Sequence, residues 1–110
     1  MSDPSPPPGR AGFTLGQLIH HRRFDYRGVV FDVDPVFLGT EEWYEQMATS
    51  QPPKGKPWYH VLVDGLPQTT YVAERNLEPD DDGRPIRHPM IEHFFKGFEN
   101  GAYVLRTGSN

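Results

Sequence analysis

The run Val29-Val30-Phe31-Asp32-Val33-Asp34 carries the clearest strand pattern in the sequence, because β-branched and aromatic residues favour extended backbone. Pro35 follows the run and cannot donate to a strand ladder, so we predict that the strand ends there. The run Trp58-Tyr59-His60-Val61-Leu62-Val63 has the same character. It leads through turn residues 64–67 into a partner run over 68–72, and the two runs predict a β-hairpin.

Shorter patterns account for the remaining elements. Thr40 is a preferred N-cap residue followed by two acids, which predicts a short helix over 40–48. A second short helix is predicted over 90–95, and further short strands over 16–21 and 102–105. Roughly four or five short strands separated by turns predict a mainly β fold with one or two short helices. The strands are expected to form either a small barrel or a curled sheet.

The two ends of the chain have compositions that oppose packing. Residues 1–12 contain four prolines, two serines and two glycines, with Met1 as the only large apolar residue, so we predict a disordered tail. Residues 106–110 are predicted to form a similar C-terminal tail. One domain over residues 13–105 then remains, and aromatic residues, 13% of the chain, are expected to fill its small core.

The composition excludes several classes of protein. The chain has no cysteine, which excludes disulfides and thiolate metal sites. No apolar run approaches the length of a membrane span and no secretory signal is visible, so we expect a cytoplasmic protein without a membrane partner. The net charge of −4 opposes binding to a phosphate backbone, which depends on Lys and Arg. Nucleic-acid binding would therefore need a local basic patch.

Residue types that serve catalysis and metal binding do not fall in productive patterns. The four serines lie in tails or in a loop, without a nucleophile-elbow motif. Asp32 and Asp34 share one face of a predicted strand, where they form either an acid/base pair or, as we prefer, a solvated face with Asp34 capping the turn. The histidines lack metal-ligand spacing, and residues 80–82 are predicted to be a solvated turn. We expect no enzymatic activity, no metal and no cofactor.

The basic residues concentrate in one segment, His20-His21-Arg22-Arg23-Phe24-Asp25-Tyr26-Arg27. Its arginines are interleaved with aromatic residues, a combination that surfaces binding proteins and surfaces binding nucleic acids both enrich. We predict that the segment forms a binding rim, with Phe24 and Tyr26 as candidate core anchors. The alternative is a charged turn whose arginines pair with nearby acids, namely Asp32, Asp34 or Glu42.

Four segments carry a family resemblance: HHRRFDYRGVV at 20–30, DP at 34–35, WYHVLVD at 58–64 and TYVAERNL at 70–77. Together they resemble the YccV-like domain of the heat-shock protein HspQ family, which is also labelled hemimethylated-DNA-binding. The similarity extends over about residues 13–105. The resemblance implies a small SH3-like β-barrel without catalytic residues.

The same resemblance implies a cytoplasmic heat-shock role, as an adaptor or specificity-enhancing factor for degradation of damaged or regulatory proteins by the Lon protease. It further implies self-association, with a trimer as the suggested form. We prefer the protein-binding adaptor because the acidic charge opposes the alternative, a hemimethylated-DNA-binding module. The resemblance assigns no residue to either activity, so the partner-binding candidates, for protein or DNA, are our own: His21, Arg22, Arg23, Tyr26, Arg27, Asp34, Trp58 and His60.

Overall fold

Residues 11–106, the part of the chain that the computed structural model describes, form a mainly β fold, as predicted. The strands are β1 (Leu18–His21), β2 (Arg27–Asp34), β3 (Trp58–Val63), β4 (Thr69–Ala73), β5 (Leu77–Pro79), β6 (Phe95–Glu99) and β7 (Ala102–Leu105). The α-helices are α1 (Glu41–Met47) and α2 (Ile91–Phe94), and one 3₁₀ turn covers Glu74–Asn76. Residues 1–10 and 107–110, most of the two predicted tails, lie outside the described residues, so their disorder stays a prediction.

The first five strands form one antiparallel sheet in the order β4-β3-β2-β1-β5, and β6 and β7 form a separate hairpin. Within residues 11–106 these ladders do not close into a barrel, so the SH3-like barrel is not confirmed. The two outer strands explain the open sheet. β5 is only three residues long and ends at Pro79, which cannot donate to a further strand, while among the described strands β4 pairs with β3 alone.

A bulge in β2 sets the positions of its acidic residues. Val30 pairs with Val61, but the next pair is Asp32 with His60, so Phe31 is the extra residue on β2. Such a bulge bends the strand and changes the direction of the side chains that follow it. Asp34 consequently lies at the end of β2 opposite Trp58 on β3.

Alternating residues of the central strands bury apolar side chains on both faces of the sheet. One face packs against the β6–β7 hairpin and the segment that precedes it. The buried cluster on this face contains Leu18, Val29, Leu62, Ile86, Phe95 and Tyr103. The other face holds the cluster Ile19, Val30, Tyr59, Val61, Val72 and Leu77. A third cluster joins the sheet to α1 and contains Ala48, Trp58 and Ala73, with Phe37, Trp43, Tyr44 and Tyr71 packed against it.

The predicted elements near the C-terminus need one correction. The helix expected over 90–95 is a single turn, α2, and Phe95 is the first residue of β6 rather than the last residue of a helix. Phe95 is 2% exposed and packs on Tyr103, so its burial against the hairpin outweighs the short local helical pattern. Among the described residues, no helix is long and apolar enough to cross a membrane.

Candidate partner-binding groove

The basic segment folds into a tight turn between β1 and β2, organised by His21. The His21 ring is 3% exposed, and its Nδ1 accepts hydrogen bonds from the backbone amides of Arg23 and Phe24, both at 3.1 Å. Asp25 has φ +56°, a left-handed conformation that Asp tolerates in turns. Burial lowers the pKa of His21, and the charge of Arg23 lowers it further. The neutral ring therefore holds the turn in shape.

Arg27 does not join Arg22 and Arg23 on one rim. Its guanidinium donates to both carboxylate oxygens of Asp80, at 3.0 to 3.2 Å, and lies 3.5 Å from the Asp64 carboxylate. The Asp80 side chain is 5% exposed. The prediction that residue 80 lies in a solvated turn is therefore wrong. Asp32, Asp34 and Glu42, the predicted pairing partners, are wrong for Arg27. The fold pairs β5 with β1 and thereby places Asp80, the residue after β5, beside Arg27.

The other two arginines of the segment are exposed. Arg22 donates from Nε to the backbone carbonyl of Leu77 at 3.4 Å, and the Arg23 guanidinium lies 5.9 Å from the centre of the Phe24 ring. Phe24 itself is 67% exposed, so it does not anchor the core. Tyr26 is partly buried, and its hydroxyl is 2.7 Å from Thr70 Oγ1 on β4. Tyr26 therefore does tie the turn to the sheet.

A groove of about 410 Å³ runs along β4, between this turn and α1. We call it the aromatic groove and define it by the seven lining residues that carry rings or a thioether: His21, Phe24, Tyr26, Trp43, Met47, His60 and Tyr71. Met47 is 62% exposed, so, with Phe24, two large apolar side chains of the groove face solvent. Contiguous exposed apolar surface of this kind marks interaction sites more often than isolated exposed residues do.

The helix α1 places Trp43 in the groove. Thr40 caps the helix, with its Oγ1 accepting from the Trp43 amide at 3.0 Å, and acids occupy the first turn as the sequence predicts. The Trp43 ring meets Tyr71 edge-on at 5.6 Å and Trp58 at 6.0 Å between ring centres. Trp58 is 1% exposed, donates from its indole nitrogen to the Pro53 carbonyl and packs on Trp43 and Tyr71, so it supports these rings and does not line the groove.

One end of the groove contains a carboxylate. Tyr71 donates its hydroxyl hydrogen to Asp34 Oδ2 at 2.6 Å, and His60 Nε2 lies 3.2 Å from the same oxygen. Burial and this hydrogen bond raise the pKa of Tyr71 to about 12, so the hydroxyl stays protonated and keeps donating. The prediction that Asp34 caps the turn at Pro35 misses this role, because the partners of Asp34 come from β3 and β4.

The bulge also brings Asp32 to this end of the groove. Ligand atoms of Asp32, Asp34 and His60 all lie within 4.8 Å of one another. Sequence spacing placed Asp32 and Asp34 on one face of the strand but gave no indication of His60, which comes from another strand. Asp34 Oδ2 already receives two hydrogen bonds, and Asp32 Oδ1 accepts from the Val33 amide at 2.9 Å. These bonds account for the arrangement of the side chains, and the absence of a metal stays a prediction.

The groove follows an open strand edge. In the described part of the chain, β4 forms a ladder with β3 and with no other strand, so its outer edge is free for pairing. Thr70 and Tyr71 are adjacent on β4, so their side chains point to opposite faces of the sheet. Both line the groove, which therefore extends across the strand edge. An extended segment laid in the groove would lie beside the backbone of β4.

The family described as "Hemimethylated DNA-binding protein YccV like" matches residues 11–102, nearly the whole of the described chain. The chain belongs to the YccV-like family. The resemblance seen in the sequence is thereby confirmed, and the binding stated in the family's description is a property to be tested for this YccV-like domain.

The eight predicted site residues separate into groups in this YccV-like domain. His21, Tyr26 and His60 line the aromatic groove, Asp34 lies at its end, and Arg23 and Trp58 border an adjoining cavity. Arg22 and Arg27 contact other parts of the molecule. Sequence reasoning missed four groove residues, namely Phe24, Trp43, Met47 and Tyr71. The four-residue spacing of Trp43 and Met47 on α1 was the available signal, since it places both on one helix face.

Proposed function

We propose that this domain is a non-catalytic protein-binding module, and that it serves as a heat-shock adaptor or specificity-enhancing factor for the Lon protease. The aromatic groove beside the open edge of β4 is the observation that carries the proposal. A partly unfolded segment of a client protein would pair with β4 through backbone hydrogen bonds and place apolar side chains between Phe24 and Met47. The identity of the protease rests on the resemblance to HspQ.

The charge distribution supports protein binding over DNA binding. The predicted arginine rim is reduced to Arg22 and Arg23, because the Arg27 guanidinium is neutralised by Asp80. The helix α1, which forms one wall of the groove, exposes Glu42 and Glu45, together with Glu41, which is paired with Lys54. Carboxylates on that side would repel a phosphate backbone.

Reconstituted degradation tests the proposal. Purified domain is added to Lon and several test substrates, and the degradation rates should change. Met47→Glu puts a charge on the exposed wall of the groove and should abolish the change, because a client would have to desolvate that charge. Leu66→Glu is the matched control, since Leu66 is 49% exposed but does not line the groove. No rate change with any substrate, or equal loss in both variants, would contradict the proposal.

A hemimethylated-DNA-binding module is the second candidate function, and the description of the YccV-like family favours it. Its phosphate contacts would come from the exposed Arg22 and Arg23, with Lys56 as a further exposed cation. Lys54 contributes less, because it is paired with Glu41 at 2.6 Å. A patch of three cations predicts weak binding that falls steeply with salt.

Fluorescence anisotropy with hemimethylated and unmethylated duplexes at physiological salt separates the two candidates. The DNA-binding function predicts tighter binding of the hemimethylated duplex, reduced in an Arg22→Gln, Arg23→Gln double variant. Binding to neither duplex, or equal salt-sensitive binding to both, would rule out specific recognition of hemimethylated DNA.

Three further properties are proposed from the resemblance to HspQ. They are an SH3-like arrangement of the strands, self-association as a trimer and a cytoplasmic location. The free outer edges of β4 and β5 are compatible with contacts between copies. Sedimentation equilibrium over a range of concentrations measures the oligomeric state directly.

A further inference from the structure

We propose that the Asp34 end of the aromatic groove is a pocket for a basic side chain, the Lys or Arg of a bound protein segment. The inference rests on the proposed function, because it names a feature that the bound segment should carry. The pocket has a volume of about 340 Å³ and is lined by residues of β2, α1, β3 and β4 and the loop before α1. Asp34, Trp43, His60 and Tyr71 are the lining residues that would contact the charge.

Aromatic rings form the walls of this pocket. The planes of Trp43 and Tyr71 meet at 67° with their centres 5.6 Å apart, so the two rings form a corner. His60 continues the wall, with its ring centre 4.6 Å from that of Tyr71. Leu38, which is 66% exposed, borders the opening and offers apolar surface to the methylene stem of a long side chain. A cation held against Trp and Tyr faces is attracted by their π electrons.

A carboxylate lies beside these walls with one oxygen available. The Asp34 side chain is 18% exposed, and Tyr71 and His60 both contact its Oδ2. Asp34 Oδ1 has no hydrogen-bond partner among residues 11–106, and it is not one of the fully enclosed polar atoms of that range, because each of those has a partner. Asp34 lines the pocket, so Oδ1 can accept from a group bound there. Asp32 adds a second carboxylate within 4.8 Å. A positively charged donor matches this pocket, whereas an acidic or phosphate group would be repelled.

No Lys or Arg side chain of the described part of the chain lines the pocket. Cations contact aromatic rings elsewhere in the domain. The Lys54 ammonium lies 4.3 Å from the centre of the Tyr44 ring, and the Arg23 guanidinium lies over the Phe24 ring. Among the described residues, neither Arg23 nor Lys54 lies over the ring of Trp43 or Tyr71. The carboxylate and the aromatic corner can therefore bind a positive charge from a partner. We accordingly expect the client segment to carry a basic residue at this position.

A small probe tests the pocket without a client protein. Acetyl-arginine methylamide, or its uncharged analogue acetyl-citrulline methylamide, is titrated into the domain while the two Trp indole N–H signals are followed by NMR. The arginine probe should give a saturable shift of the Trp43 signal and leave the buried Trp58 signal in place. Citrulline should bind at least about fivefold more weakly, since it lacks the charge. Equal responses to both probes, or no response of Trp43, would overturn the inference.

Variants assign the effect to the carboxylate. Asp34→Asn should weaken arginine binding by at least about fivefold and bring it close to citrulline binding. Asp81→Asn removes the same charge from an exposed position outside the groove and should leave the affinity unchanged. Tyr71→Phe is a second variant, because it keeps the ring but removes the hydroxyl that orients Asp34, and it should also weaken binding. Loss of affinity in the Asp81 variant equal to that in the Asp34 variant would contradict the assignment.

The same set of proteins separates this inference from the proposed function. If the arginine probe shifts Trp43 but the domain changes no substrate degradation by Lon, the pocket stands and the adaptor function fails. If the domain does change degradation, replacing every Lys and Arg of the recognised substrate segment by Gln should reduce its effect several-fold. An unreduced effect would refute the basic-residue pocket and leave the adaptor function intact.

Discussion

His20 and His21 are neighbours in β1 with opposite environments. His20 Nε2 lies 2.6 Å from Asp25 and its Nδ1 lies 2.7 Å from Glu78, and these hydrogen bonds raise the pKa of His20 above 6.5. His21 faces the other way, where burial lowers its pKa below 6.5. Alternation along a strand thus gives one histidine that prefers to be charged and one that prefers to be neutral.

The two histidines should therefore respond oppositely to pH. The contribution of charged His20 to stability is present below pH 6.5 and is lost as the pH rises through its higher folded-state pKa. The contribution of neutral His21 is present above pH 6.5 and is lost as the pH falls toward its lower folded-state pKa. NMR titration of the ring protons should give His20 the higher pKa. The reverse order would contradict the assigned contacts.

Arg27 illustrates a residue whose role depends on a distant part of the chain. Arg27→Gln leaves the 5% exposed Asp80 carboxylate without its guanidinium, and should lower the free energy of unfolding by about 2–3 kcal/mol. The matched control is Arg84→Gln, because Arg84 is 79% exposed and its pairing with Asp82 is screened by water, so it should lower the free energy of unfolding much less than Arg27→Gln does. Urea denaturation measures both. Equal costs would argue against a structural role for Arg27.

At the scale of elements, α1 is short and depends on its cap. None of its seven residues is buried, and it is attached to the sheet through the partly buried Trp43 and Tyr44. Such an element can open locally before the rest of the domain unfolds. The wall of the aromatic groove that α1 provides is therefore the part most sensitive to changes in helix stability.

Removal of the cap should affect the groove more than the whole fold. Thr40→Ala deletes the hydroxyl that accepts from the Trp43 amide and should destabilise α1 by about 1 kcal/mol. We expect faster amide exchange in α1, with little change in β3, and weaker partner binding. Thr49→Ala, at an exposed position after the helix, should change neither. Uniformly faster exchange across the sheet would show that α1 does not open independently.

The elements were largely predictable because their patterns are local. The β3–β4 hairpin follows from two β-rich runs around a turn, and the start of α1 follows from Thr40 and the acids after it. β6 was missed because its burial depends on Tyr103, across the hairpin. The groove was only partly predictable, since a turn near residue 24, α1 and β4 must come together, and the carboxylate pocket further requires a bulge at Phe31.

At the scale of the whole molecule, charge and shape support the same function. The net charge of −4 opposes binding to a phosphate backbone, and the Arg27 cation is neutralised internally. The open edge of β4 and the apolar side chains on either side of it instead suit an extended protein segment. Membership of the YccV-like family is compatible with both partners, so direct measurement of the groove must decide between them.

Amide hydrogen exchange of residues 69–72 tests the central claim most directly. These residues form most of β4, whose outer edge is free in the described chain. The domain is compared alone, with Lon and an unfolded test substrate, and with hemimethylated duplex. The account predicts slower exchange in β4 and in α1 with Lon and substrate, and no such slowing with the duplex. Unchanged exchange in β4 with Lon and substrate, or slowing produced by the duplex alone, would contradict it.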